Sequence, residues 1–218
     1  MGPLIPDTCE LTHNVSANII RTMANSAKQL QDYLGESSAL HSHLCPRQVL
    51  GVRAGLAAST MLDFELPQRD KRVIAFVETD GCFVDGVSVT TGCTIGRRTL
   101  RLIDYGKVAV TFVDSVSGAA YRISPRGGIR ELAKVVADSA ETPWHAQVEA
   151  YQSISAEDLL CIEQVKLTLC LDAIISKPGL RVNCAECGEE VMNARQVTQR
   201  GRPVCLGCAT QSPYYLRG

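Results

Sequence analysis

Sulfur and imidazole are the groups best able to do chemistry in this chain. Ten cysteines and four histidines occur among 218 residues. Cys184-Ala185-Glu186-Cys187 and Cys205-Leu206-Gly207-Cys208 form two C-x-x-C pairs with 17 residues between them. Such a pair turns the backbone so that both sulfurs meet one ion, and two pairs supply the tetrahedral four-thiolate set that Zn2+ accepts. Four protein ligands leave no open position, so Cys184, Cys187, Cys205 and Cys208 read as a structural zinc site. The tail is too short for an apolar core of its own. Metal binding would supply its folding energy, about 10–16 kcal/mol for sites of this kind. An iron–sulfur cluster, a rubredoxin-like iron and a disulfide pair are the competing readings.

A second constellation lies upstream. His41-Ser42-His43-Leu44-Cys45-Pro46 puts three metal-competent side chains within five residues. In an extended segment, alternate residues share a face, so all three would point one way. Pro46 suits the first position of a helix. The helix amides there would favour the thiolate of Cys45, as ligand or as redox thiol. Glu78-Thr79-Asp80-Gly81-Cys82-Phe83-Val84-Asp85 then flanks one cysteine with carboxylates at the end of a strand, where sheets with helical crossovers carry ligands. Thr91-Gly92-Cys93-Thr94-Ile95-Gly96 adds a third thiol in a glycine-bounded turn whose N–H groups can hold an anion. Lys107, after Gly106, would be the positive end of the same pocket.

The elements that must position these groups follow from periodicity. Residues 14–34 carry apolar side chains every three or four positions, a helix that Gly35 should stop. A second helix runs from Pro46 to Met61. Its Gly51 and Gly55 cost about 1 kcal/mol each against Ala, so something must pack closely on them. Arg72–Glu78 and Lys107–Asp114 read as buried strands, Tyr121–Ser124 as an edge strand, and Ile162–Leu169 as a strand with one wet face. Phe83–Thr91, Gly128–Ser139 and Pro143–Tyr151 read as helices. Ser176-Lys177-Pro178-Gly179 reads as a linker. Cys161 and Cys170 are expected to be small core hydrophobes, Cys9 to lie in a mobile end, His13 to cap a helix, and Trp144 and His145 to pack.

Composition sets the class. With 45% hydrophobic and 21% charged residues and a net charge of -1, the chain is globular, not disordered. No apolar run approaches the roughly 20 residues of a membrane span, and Met1–Thr8 shows no secretory signal, so a cytoplasmic, reducing setting is expected. A pI near 6.4 argues against nucleic acid as a partner. In the tail, Arg195, Arg200, Arg202 and Arg217 are sparse, and with Tyr214 and Tyr215 they suit packing or a protein partner.

The ordered motifs from His41 to Pro46, Glu78 to Asp85, Thr91 to Gly96, and Asp104-Tyr105-Gly106-Lys107 resemble the FmdE family, named for a component of formylmethanofuran dehydrogenase and its operon. The tail resembles the treble-clef zinc finger that some members append. The resemblance implies a thioredoxin-like α+β core over residues 1–175, with a mixed β-sheet flanked by helices, and a zinc-finger domain over 176–218. It also implies a homodimer and association with a molybdenum or tungsten formylmethanofuran dehydrogenase of anaerobes, with no reaction attached to the family itself. His41, His43 and Cys45 match its His-Gly-His-Leu-Cys-Pro segment, Cys82 and Asp85 its central Cys and Asp, and Cys93 and Thr94 its Gly-Cys-Thr turn. Ser42 and Arg47 stand where glycines are usual, and Arg47 could close the pocket or meet an anionic ligand. The expectation is a metal-binding protein. Its core holds a second metal, Zn2+ as first choice, through His41, His43, Cys45 and Cys82, with Asp85, Cys93, Thr94, Arg47 and Lys107 around a ligand. One alternative is a non-catalytic adaptor that docks through its finger. The other is a thiol redox enzyme using Cys45 and Cys82.

Overall fold

The structure is a computed structural model and describes residues 19–175, 177 and 179–210. The sequence readings of Met1–Thr8, Cys9, His13, Ser176, Pro178, Tyr214, Tyr215 and Arg217 lie outside the described residues. The first helix, α1 (Ile19–Ala39), runs through Gly35 instead of stopping there. A Cβ at Gly35 would meet nothing within 4 Å, so the residue stands in open space and costs only its propensity, about 1 kcal/mol. Leu30, Tyr33 and Leu34 are buried in the core and hold the helix in the turn before that position.

Pro46 opens α2 (Pro46–Leu62), and Asp63 ends it in the left-handed region. β1 (Val73–Val77) is buried at every residue. It leads through Gly81 into α3 (Cys82–Thr91) and on to β2 (Leu100–Leu102), which pairs parallel with β1. Then come β3 (Val110–Asp114), β4 (Ala120–Pro125), α4 (Ile129–Val136), α5 (Pro143–Ser153), the single turn α6 (Ala156–Leu159) and β5 (Leu160–Gln164). The strand order is β2-β1-β3-β4-β5, and every pair after the first is antiparallel. The class is therefore α+β with a mixed five-stranded sheet. β4 lies between β3 and β5, not at an edge, and β5 ends well before Leu169. Val73, Ala75, Val77, Phe112 and Ile123 from the sheet share one core with Val49 and Val52 of α2, Phe83 and Val87 of α3, and Ala150 and Tyr151 of α5.

The glycines of α2 meet α3, as their cost predicts. A Cβ on Gly51 would lie 2.2 Å from the Phe83 carbonyl oxygen, and one on Gly86 would lie 2.4 Å from that of Gln48. Gly55 meets Thr90 and Thr91 in the same way. Contacts that advance together along both helices mean that α2 and α3 run parallel. Their N-termini, carrying Cys45 and Cys82, therefore lie at one end.

A first compact unit ends at Thr168 and a second begins at Leu169. The second holds the turn α7 (Leu171–Ile174), the hairpin of β6 (Arg181–Asn183) and β7 (Glu190–Met192), the hairpin of β8 (Val197–Gln199) and β9 (Arg202–Val204), and α8 (Leu206–Thr210). Among the described residues no helix is long and apolar enough to cross a membrane.

Candidate metal centres

In the second unit, the turn between β6 and β7 carries Cys184 and Cys187. The Cys184 N–H donates to Glu189 O and the Gly188 N–H to Cys184 O, both at 2.9 Å, and Gly188 has φ 78°. This closes a tight knuckle in which only glycine sits without strain. Cys205 follows β9, and Cys208 lies in α8. The Cys205 N–H reaches Cys184 Sγ at 3.3 Å, and Cys187 Sγ lies 4.0 Å from Cys205 Sγ. All four sulfurs fall within 4.8 Å of one another. Among the described residues they are the only His, Cys, Asp or Glu ligand atoms that gather so tightly in a group of three or more. Backbone N–H groups of Cys187 and Cys205 pull the Cys184 thiol down to about 6. The sulfur of Cys205 and loss of solvent push Cys208 up to about 12. Four thiols this close cannot all ionise without a cation to compensate them, and the donor set fits Zn2+.

The core constellation is built differently. Cys45 is the N-cap of α2 and is buried; Cys82 is the first residue of α3 and is half-buried. The two thiols are near enough for Cys45 to act on the ionisation of Cys82. Burial, and then Cys45, raise the Cys82 thiol above its usual value, while the charge of the exposed Arg47 opposes this. Asp85 stands one turn beyond Cys82 on α3, so both side chains share a face. There Asp85 Oδ2 accepts from His41 Nε2 at 2.5 Å. His43 Nδ1 donates to the His41 carbonyl at 2.9 Å. Each imidazole thus has one nitrogen tied to oxygen.

The chain turns through Leu40–Ser42 and bends at His43, so the stretch from His41 to Cys45 is not the continuous extended segment that alternation requires. Ser42 sits at φ 62° and reverses the chain, so His41 faces Asp85 while His43 is exposed. The carboxylates around Cys82 also part. Glu78 is buried and accepts two hydrogen bonds from Arg122, at 2.7 and 2.8 Å, so it is committed within the sheet. Lys107 is exposed, with Nζ 6.0 Å from the Tyr105 ring centroid.

Cys93 and Thr94 follow the opposite end of α3, about 15 Å from Cys82 at 1.5 Å per residue. Cys93 is buried, and its sulfur accepts from Gln68 Nε2 at 3.0 Å. Thr94 takes the Arg97 N–H in a local turn. The structure therefore pairs His41 with Asp85 and sets Cys45 near Cys82 at the N-terminal ends of α2 and α3, and it leaves Cys93 and Thr94 at the other end of α3.

Four bland readings change or sharpen. Cys161 is half-buried and disulfide-bonded, not a small core hydrophobe. Cys170 is exposed, not a core residue. Trp144 is 42% exposed. His145 joins Thr142, the N-cap of α5, at 2.9 Å. Sequence reasoning also passed over Gln48, which is buried and accepts the Cys45 N–H at 2.8 Å. The available signal was a glutamine three residues after the N-cap, the spacing of a capping box.

Comparison with known proteins adds a family context. Residues 40–167 match the family model FmdE, described as molybdenum formylmethanofuran dehydrogenase operon. Residues 178–214 match the prokaryotic dksA/traR C4-type zinc finger. A protein of Archaeoglobus fulgidus named a probable S-adenosyl-L-methionine-binding protein is 38% identical over 93 residues, 41% of this chain and 25% of its own length. The chain thus spans about a quarter of that relative. A crystal structure of a tungsten formylmethanofuran dehydrogenase FmdE-like protein from Syntrophus aciditrophicus superposes with TM-score 0.54 at 21% identity, covering 85% of this chain and 95% of that one. At that identity the likeness is one of fold.

Proposed function

The chain belongs to the FmdE family and carries a C-terminal four-cysteine zinc finger, and on that premise we propose that its core is a metal- and ligand-binding site accessory to a molybdenum or tungsten formylmethanofuran dehydrogenase or a related anaerobic system. The observation that carries this reading is the thiol pair of Cys45 and Cys82 at the joined N-termini of α2 and α3. Two sulfurs with imidazoles at hand suit Zn2+ first among the transition metals that accept such ligands. His41 and His43 support it, because a ligating histidine commonly gives its other nitrogen to a carboxylate or carbonyl, as Asp85 Oδ2 and the His41 carbonyl provide here. In this reading the two sulfurs are the first ligands, and the imidazole nitrogens not bonded to oxygen complete the set. Asp85 orients His41, and Arg47 and Lys107 supply positive charge for an anionic ligand. A cysteine opening the helix after the first strand of a mixed sheet is also our ground for reading the core as thioredoxin-like.

Metal analysis of anaerobically purified protein tests the proposal. Two ions per chain are expected, falling to one when Cys45 and Cys82 are both replaced by Ala. One zinc per chain, unchanged by those substitutions, overturns it. The thiol pair also favours a second reading, a dithiol that passes two electrons and two protons to an external disulfide. Thiol trapping after exposure to such a disulfide decides that one.

We propose a homodimer as the assembly. Leu132, Val135 and Val136 form an exposed apolar stripe on α4, with Trp144 exposed at the start of α5, and Val135 is 75% exposed. Val135→Glu should convert a dimer to a monomer in sedimentation. An unchanged mass with this variant would move the interface elsewhere.

A further inference from the structure

An amide side chain is costly to bury unless its polar atoms are satisfied. Gln48 is 0% exposed and meets that condition by bridging two separate segments. Its Oε1 accepts the Cys45 N–H at 2.8 Å, and its Nε2 donates to the Ser37 carbonyl at 2.7 Å and to Ser37 Oγ at 3.0 Å. Ser37 is buried near the C-terminal end of α1, and Cys45 caps α2. The loop between them carries His41 and His43. One side chain therefore fastens both feet of the histidine loop. Its own backbone is fixed as well, since the Gln48 carbonyl lies against Gly86 so closely that a Cβ there would come within 2.4 Å. The amide is thus aimed from a point clamped to α3, the helix that carries Cys82 and Asp85.

We infer that Gln48 is the positioning residue of the core site, holding the loop of His41 and His43 and the backbone of Cys45 in register with Cys82 and Asp85. The inference rests on the reading of that cluster as a metal site. A merely structural glutamine would contribute to stability alone. Arg53 offers the comparison. It is on the same helix, and its guanidinium donates to the carbonyls of Tyr151, Gln152 and Ile154 at 3.0, 3.2 and 2.8 Å, tying down the end of α5 far from the thiols.

The test uses the full chain with the finger first filled by one equivalent of Zn2+, and Co2+ as the probe of the core through its thiolate charge-transfer absorption. Gln48→Met keeps the length of the side chain and removes its hydrogen bonds. It should weaken core Co2+ binding by roughly 10–100-fold, the usual cost of losing an outer-shell partner. Arg53→Met should lower the melting temperature and leave Co2+ affinity unchanged. Retained affinity in Gln48→Met, or an equal loss in Arg53→Met, overturns the inference. If the wild-type chain takes up no Co2+ beyond the finger, the metal reading fails, and iodoacetamide labelling decides the positioning role. Cys45 should then alkylate faster in Gln48→Met than in both wild type and Arg53→Met. Equal rates in all three overturn the inference.

Discussion

Gly51 and Gly86 lie face to face where α2 crosses α3, each so close that a Cβ on one would come within 3.0 Å of the Cα of the other. This crossing sets the distance between the two helix N-termini, and so between Cys45 and Cys82.

Gly86→Ala would drive a methyl group into the backbone of α2 at Gln48, where no flexible side chain can yield. Overpacking of this kind costs about 1–3 kcal/mol, and a backbone obstacle favours the upper end. The expected outcome is a drop of about 3 kcal/mol in urea unfolding, with slower oxidative coupling of Cys45 to Cys82 in the folded fraction. A variant as stable as wild type would mean that the helices separate freely and do not fix the thiols.

Much of this framework is legible in the residues. Gly51 and Gly55 inside an apolar helix announce a close neighbour, and Pro46 marks where the helix starts. The pairing of His41 with Asp85 is not legible, because 44 residues separate them and only the parallel packing of α2 and α3 brings them together. Cys93 misleads for a related reason. Its glycine-bounded turn looks like that of Cys82, yet ten helical residues of α3 keep the two turns apart, and Gln68 makes Cys93 part of the core. β2 is only three residues long, too short for any alternation to show, so the parallel partner of β1 leaves no pattern to read. β4 looks like an edge because Arg122 interrupts its apolar run. Glu78 and Glu163 meet that charge across the sheet and allow it an interior place.

Ser42 adopts φ 62°, a region that favours glycine. The strain is about 1 kcal/mol for a side chain in that region, partly offset by the greater freedom of an unfolded glycine. Ser42→Gly should therefore stabilise the protein by about 0.5 kcal/mol and leave the His41–Asp85 contact in place. Thermal unfolding with histidine chemical shifts measures both. A loss of stability would show that the serine hydroxyl contributes more than the strain costs.

Asp114 is buried beneath Arg72, which donates to it at 2.8 Å. The Val116 N–H and the Ser117 hydroxyl each add a bond at 2.9 Å. Arg72 chiefly holds its carboxyl far below the usual carboxylate range. A depressed folded-state value gives stability that is present above the unfolded value, about 3.9, and is lost as pH falls through the folded one. Asp114→Asn should cost about 2–3 kcal/mol at pH 7, and the gap to wild type should close steadily below pH 4. A gap that stays constant down to pH 2 would assign the loss to packing instead of charge.

The finger should show its own proton balance. Zinc requires thiolates, so each thiol that still holds a proton must release it on binding. With the knuckles formed, backbone N–H groups draw Cys184 down to about 6, so at pH 7 it should enter the site as a thiolate. Cys187 and Cys208 are held above the ordinary thiol value. Filling the site at pH 7 should thus release at least two protons per zinc, readable with a pH indicator in weak buffer. As pH falls below about 6, Cys184 becomes protonated as well, and the loss of affinity per pH unit should steepen by one further proton. Competition with a chelator of known proton dependence, run from pH 8 to pH 5, tests this. A slope that does not change near pH 6 would mean that the N–H groups around Cys184 leave its thiol where an unfolded cysteine has it.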